Sequence, residues 1–391
     1  VFVYNNWGAM WQAIRNANIV LESADNVLGK SQDWQEEIKA EARFVRVYAY
    51  YKLWNQFGEM VIRRSSGGEM ELPRASREEF NDFMQSELLD IIPVLPDPGK
   101  ELAYGRANKG AAMALLTLWY LNTYQWQKCA DAARDLINTH FYSLTKTYNE
   151  MFELENKKNS EFIWVQPSLT NQNDAHNAFL AVVLPIGFQQ TLEYKYPFTD
   201  QNWSNFASQF RLRDSFVNSF DPDDERDDRF LKKYTNKSGA VIDLAGGHDD
   251  NVRGIKFPPD PAAVGAFHGN DFPYIRYAEI ILARAEALNN LSGPNQESID
   301  LINQIRSRAG INPITLGNYG SKDELNDEIL EERGHEFWYE GKRRRDLIRM
   351  GKFIEFAKQR GISNAIARDT LFPLPQSAID ANSRLVQNAG Y

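Results

Sequence analysis

The chain has 391 residues, 43% hydrophobic and 25% charged, with a formal net charge of −9. The length allows one large domain or two or three smaller ones around a substantial core, and the acidic balance, with no DNA- or RNA-binding motif, argues against a nucleic-acid partner. One cysteine, Cys129, excludes an internal disulfide framework, and no window approaches about eighteen uncharged apolar residues, so no membrane-spanning helix is expected.

Residues 7–28 read as a first helix, with Trp11, Ile14, Ala17, Leu21 and Ala24 recurring at intervals of three or four. A second helix is expected over 33–55, with Ser31 as a cap and Phe57-Gly58 as its end. After a loop carrying Arg63 and Arg64, Ser76 followed by Glu79 forms a capping box that opens a third helix, which closes before Pro93. Residues 108–121 are apolar almost all round and small at their start, so this helix should be central. Residues 126–138 return at once, and two helices joined by so few residues pack antiparallel. Cys129 sits in that pattern beside Ala130 and Ala133, which reads as a buried thiol rather than a nucleophile.

From 142 to 270 the periodicity weakens and Asn, Gln, Gly, Pro and Asp accumulate. Residues 161–165 read as a short strand, 211–220 as a short helix, and 234–254 as a hairpin or loop. The acidic run at 221–228 lacks the glycine and terminal glutamate of an EF-hand loop, so calcium is not expected there. Helices resume at 274, with a partner at 298–309.

The densest charge pattern follows, at 326–350, and reads as one long helix. Glu328, Glu331 and Glu332 lead Arg333, and Glu340 precedes Arg343 and Arg344, an order that favours a helix through ion pairs and dipole. Such a helix is either a solvated face or the middle of a polar network. His335-Glu336 begins like a zinc-protease motif, but Tyr339 stands where the second histidine belongs. A glycosidase would need carboxylates flanking a cleft in contrasting environments; these glutamates, set among Arg and Lys, read as ion-pair partners. A short helix over 353–360 and an extended tail around Pro373-Leu374-Pro375 end the chain.

The expected fold is all-α: a tetratricopeptide-like helical superhelix, with a large loop-rich insertion containing little strand. Residues 1–141 and 272–391 form the helical scaffold of a single domain, and 142–271 form the insertion that carries the function.

Several stretches, in order, resemble the SusD/RagB-like outer-membrane nutrient-binding lipoproteins. They are Ile14-Arg15-Asn16-Ala17-Asn18-Ile19-Val20-Leu21; Glu41-Ala42-Arg43-Phe44-Val45-Arg46; Tyr277-Ala278-Glu279-Ile280 with Ala285-Glu286-Ala287; and Asn303 to Gly310. Glu332-Arg333, Glu336, Glu340-Gly341 and Asp346 to Arg349 follow, then Pro373-Leu374-Pro375, Asn382, Leu385, Gln387-Asn388 and Gly390-Tyr391. The chain does not begin with Met and opens close to a helix, so the family's N-terminal part, with its lipidated cysteine, is expected to lie outside it. The resemblance implies a surface-exposed outer-membrane protein that is not an enzyme, needs no cofactor or metal, captures oligosaccharides or in some members peptides, and delivers them to a SusC-like TonB-dependent transporter. Membrane association would come through the lipid anchor.

The chemistry of sugars agrees with that expectation. A pyranose has an apolar C–H face and a polar rim, which an exposed aromatic ring with neighbouring amides and carboxylates can match. Trp203, among Gln201, Asn202, Ser204 and Asn205, is the first choice; Tyr194 and Tyr196 come next, with His268, Asn270 and Asp271 as hydrogen-bonding partners. The alternative for each ring is burial in a small core of the insertion itself. The competing functions are a helical-repeat adaptor that binds only protein, and an all-α glycosidase.

Overall fold

The structure, a computed structural model, describes residues 2–203, 207 and 209–391. Thirteen α-helices and seven short strands lie among them. They gather into two compact units: residues 1–139 with 342–391, and residues 140–341. The second unit therefore groups the expected insertion with the helices from 277 to 337, whereas the helical periodicity alone assigns those helices to one scaffold with the first ones.

The first unit begins with α1 (Phe2–Ser23), α2 (Gln32–Phe57), α3 (Arg77–Ile91), α4 (Lys109–Asn122) and α5 (Trp126–Ile137). The caps at Ser31 and Ser76 are those the sequence predicts, and the structure adds one at Asn108. Ser31 Oγ accepts from Trp34 N, Ser76 and Glu79 form a capping box, and Asn108 accepts from Ala111 N. Helix α4 is central: Ala111, Ala112, Ala114, Leu115 and Leu121 are wholly buried. In α2, Tyr50 meets Phe80 and Phe83 of α3 edge-on, at 5.8 and 5.2 Å between centroids. Asn18 of α1 donates to the carbonyls of Arg63 and Ser65 while accepting from Arg46, whose other nitrogen reaches Glu87. This polar clamp pins the loop after α2, and it is why an asparagine stands in the Ala17-Asn18 motif.

The chain's last segment, α11 (Arg343–Arg349), α12 (Phe353–Gln359) and α13 (Gln376–Asp380), belongs to the same unit. Asn388 donates to the carbonyls of Phe57 and Phe372, Asn382 to that of Leu72, and Arg344 to that of Asn55. The polar tail residues are thus clips for backbone oxygens.

The second unit holds β1 (Phe162–Gln166), α6 (Phe179–Val183), β2 (Phe188–Leu192), α7 (Asp214–Val217), β3 (Phe230–Leu231), β4 (Lys233–Asn236), β5 (Val241–Asp243), β6 (Arg253–Gly254) and β7 (Phe272–Arg276). Helices α8 (Tyr277–Ser292), α9 (Gln296–Arg308) and α10 (Lys322–Phe337) follow. All pairings are antiparallel: β1 with β7, β2 with β4 and β4 with β5, and β3 with β6. The mostly helical architecture with little strand is the expected one.

The expectation of one long charged helix fails. Residues 326–350 are not a single helix: α10 ends at Phe337 and α11 begins at Arg343. Tyr339 and Gly341 take left-handed conformations, φ 61° and 76°, which break the helical ladder between them. The freed carbonyls find partners. Lys256 Nζ donates to the carbonyls of Glu336 and Trp338, and Arg276 donates to that of Glu336.

Candidate functional site

The rings expected to meet ligand are mostly inside. Trp203 is 1% exposed and Tyr194 8%, both in a cluster with Leu180, Val183, Phe188 and Leu231. The reason is local. Asn202 is left-handed, φ 61°, and turns the chain so that an indole in a polar sequence points inward. Ser204 and Asn205 lie outside the described residues. Tyr196 is half-buried, and the Arg229 guanidinium covers one face of its ring at 4.2 Å.

The three polar candidates are structural as well. Asp260 N–H donates to His268 Nδ1 at 3.0 Å, which fixes a neutral imidazole, and burial lowers its pKa to about 4 against the weaker pull of Asp260. Asn270 donates to the carbonyl of Pro258. Asp271 accepts from Ser168 N and pairs with Lys157 at 3.1 Å. His268 and Asn270 brace the loop between β6 and β7, Asp271 ties that loop to Ser168 and Lys157, and each is under 5% exposed. In the first unit, Arg63 donates to the carbonyls of Glu69 and Met70, and Arg64 lies over the Phe83 ring at 4.8 Å.

What the second unit does present is an aromatic face on the β1–β7 pair. Trp164, Phe272 and Tyr274 are half-buried on one side, while Ile163, Val165, Pro273 and Ile275 are buried on the other. The rings of Trp164 and Tyr274 stand 5.0 Å apart at 40°, and the Tyr274 hydroxyl donates to Gln166 Oε1 at 2.9 Å. The rings thus carry a polar edge. The signal was available: Phe162, Trp164 and Gln166 alternate with Ile163 and Val165, and Phe272 and Tyr274 alternate in the same way. Reading Tyr274 as helical hid it, because β7 runs straight into α8 without a loop.

Beyond β7 an open cleft of about 770 Å³ lies between the extended segment 140–146 and α9. Asp300, Asn303, Gln304 and Ser307 line it from α9, one stripe at helical spacing. Tyr142, Ser143 and Lys146 line it from the segment, and Tyr277 from the start of α8. Among the described residues, the side chains of Ser143, Tyr277, Gln304 and Ser307 make no hydrogen bond to another protein group. Burial raises the pKa of Tyr277.

A buried ion network holds this cleft open. Glu161 accepts from Arg276 Nη1 at 2.7 Å, from Arg308 Nη1 at 2.8 Å, and from Thr145 through both N and Oγ1. Glu336 pairs with Arg226, Arg276 and Arg308; Glu340 with Arg276 and Lys256; Glu332 with Arg226 and Arg306. With Asp224 on Arg226 and Glu328 on Arg306, five cations meet six carboxylates among the described residues. Burial raises a carboxylate's pKa, yet for Glu336 and Glu340 it is overcome by the adjoining cations, and both are held below the usual range. Glu332 is raised, burial outweighing Arg226. Burial lowers Lys256 to about 7, while Glu340 and the rings of Tyr148, Phe152 and Trp338, all within 5.3 Å, favour its charge. The cost of desolvating such groups is offset only where each meets several partners, as here. The glutamates of 332–340 are therefore interior structure. Among the described residues no group of three or more His, Cys, Asp or Glu is placed to hold a metal, and no helix is long and apolar enough to cross a membrane.

Comparison with known proteins bears on the fold as a whole. The SusD family matches residues 253–391, and a SusD-like family described as starch-binding and associating with the outer membrane matches residues 2–121. SusD-like protein P2 of Formosa agariphila is 26% identical over 98% of this chain and 78% of its own. Starch-binding protein SusD of Bacteroides thetaiotaomicron is 22% identical, over 90% of this chain and 72% of its own. Among solved structures, a laminarin-binding SusD-like protein superposes with a TM-score of 0.82 at 24% identity, over 99% of this chain and 85% of its own. Matched at both ends in sequence and along its length in fold, the chain belongs to the SusD/RagB-like family.

Proposed function

We propose that the chain is a non-catalytic binding protein that captures oligosaccharides at the outer membrane and delivers them to a SusC-like TonB-dependent transporter. A lipid anchor outside this chain would hold it at the cell surface. The observation that carries the reading is the aromatic face of β1–β7, where the Trp164 and Tyr274 rings offer apolar area to sugar C–H groups beside the Gln166 amide. The starch- and laminarin-binding relatives support glycan as the ligand class. Binding rather than cleavage is supported by the placement of the carboxylates: those of 332–340 are committed to buried cations, and among the described residues Asp300 is the one carboxylate lining the cleft, whereas glycoside hydrolysis uses a facing pair.

The test is a panel of polysaccharides, α- and β-glucans first, screened by affinity electrophoresis and followed by calorimetry on the chain and its Trp164→Ala variant. The variant is expected to lose at least tenfold in affinity, the worth of one well-packed ring against a sugar at about 1.4 kcal/mol. An unchanged affinity would remove this face from the site. Binding to a transporter with no glycan retained would favour the protein-binding adaptor instead.

A further inference from the structure

The cleft over α9 makes no part of the aromatic face, yet it begins at Tyr277, three residues after Tyr274 on a continuous strand-to-helix run. Three residues span at most about 10 Å, so the two surfaces lie within reach of one short oligosaccharide. We infer that the cleft is a second carbohydrate subsite, which takes the sugar units that extend beyond those held by the Trp164–Tyr274 face.

The chemistry of the lining chooses the ligand. Ser143, Tyr277, Gln304 and Ser307 line open space with hydroxyl and amide groups that no other group among the described residues engages. A polyol can donate to and accept from every one of them. An apolar ligand would strip their water without return, and a peptide would want side-chain pockets, whereas among the described residues Leu144 is the one aliphatic side chain lining the cleft. Tyr277, half-buried, supplies ring area for the C–H faces. The walls are preorganised. Thr145 is fixed by two hydrogen bonds to Glu161, and Asn303 is fixed by exchange with the backbone of Ile314, so a ligand would not have to order them.

This inference rests on the glycan reading above, and it predicts a dependence on ligand length. The experiment uses an oligosaccharide ladder, disaccharide to heptasaccharide, cut from whichever polysaccharide the wild-type chain retains in the panel, with affinities measured by calorimetry. Gln304 and Ser307 are exposed, so the double variant Gln304→Ala/Ser307→Ala should fold, with its melting temperature as the check. The wild-type affinity should rise along the ladder. The double variant should bind the shortest ligands normally and the hexasaccharide about tenfold more weakly, as the loss of two hydrogen bonds predicts. A hexasaccharide affinity indifferent to the double variant, with Trp164→Ala still damaging, would overturn the subsite alone. A wild-type chain that retains no polysaccharide overturns both readings.

Discussion

His268 is the sharpest test of where the sequence reading of the site fails, because a ligand-binding histidine and a buried structural one respond to pH in opposite places. Its Nδ1 accepts from Asp260 N–H, the Trp203 ring lies at 5.5 Å, and burial lowers its pKa from 6.5 to about 4, with His176 adding to the fall and Asp260 opposing it. The folded state thus takes the proton later than the unfolded state as pH falls. The stability this contributes is complete above pH 6.5 and is lost progressively as pH falls toward 4. At 1.36 kcal/mol per unit the full loss is about 3 kcal/mol, and about 2 kcal/mol is gone by pH 5. His268→Asn is the matched perturbation, since Asn Oδ1 can accept from Asp260 N–H and does not titrate. Urea unfolding at pH 7.5 and pH 5 should show the variant losing about 2 kcal/mol less than wild type between the two, with glycan affinity at pH 7.5 unchanged. Equal losses would refute the argument for a neutral, buried imidazole.

Three other substitutions probe the second unit. Trp203→Ala should cost about 3–5 kcal/mol of unfolding free energy through the cavity it leaves, and should leave the glycan affinity of the folded protein intact. Glu336→Ala removes a carboxylate shared by Arg226, Arg276 and Arg308, and chemical denaturation should register a loss of about 3–5 kcal/mol or failure to fold. At Gly254 a Cβ would stand 2.5 Å from Trp338 Cζ3, so Gly254→Ala should lower stability by about 1–3 kcal/mol, and an unchanged melting temperature would show that Trp338 has room to move.

The helices were legible because their signals are local. Ser31, Ser76 and Asn108 cap where they stand, and the apolar run of α4 can only be central. The site was not legible, because exposure is a tertiary property. A tryptophan flanked by Gln201 and Asn202 looks like a surface ring, yet one left-handed residue turns it into the core. Trp164, with apolar neighbours, looks like core and is only half-buried, because the β1–β7 pair turns Ile163 and Val165 to its buried side and Trp164 to the other. The charge pattern of 326–350 showed that a network was possible. It did not show the break at Tyr339, since the partners that stabilise it, Lys256 and Arg276, are far away in sequence.

The buried network and the cleft are two sides of one arrangement. An apolar core could have supported α8, α9 and α10 at lower desolvation cost, since replacing a buried ion pair with packed hydrophobic residues is commonly neutral or stabilising. What an apolar core cannot do is fix direction. The two oxygens of Glu161 take four hydrogen bonds, and the donors come from three places: the extended segment at Thr145, which donates twice, the end of β7 at Arg276, and the end of α9 at Arg308. Its backbone carbonyl also accepts from Tyr277 N, where α8 begins. Thr145, Arg308 and Tyr277 all line the cleft. Hydrogen bonds have angles where hydrophobic contacts do not, so this carboxylate sets the spacing between segment 140–146 and α9 to the width of the opening. The charge of this network is thus used inside, on geometry.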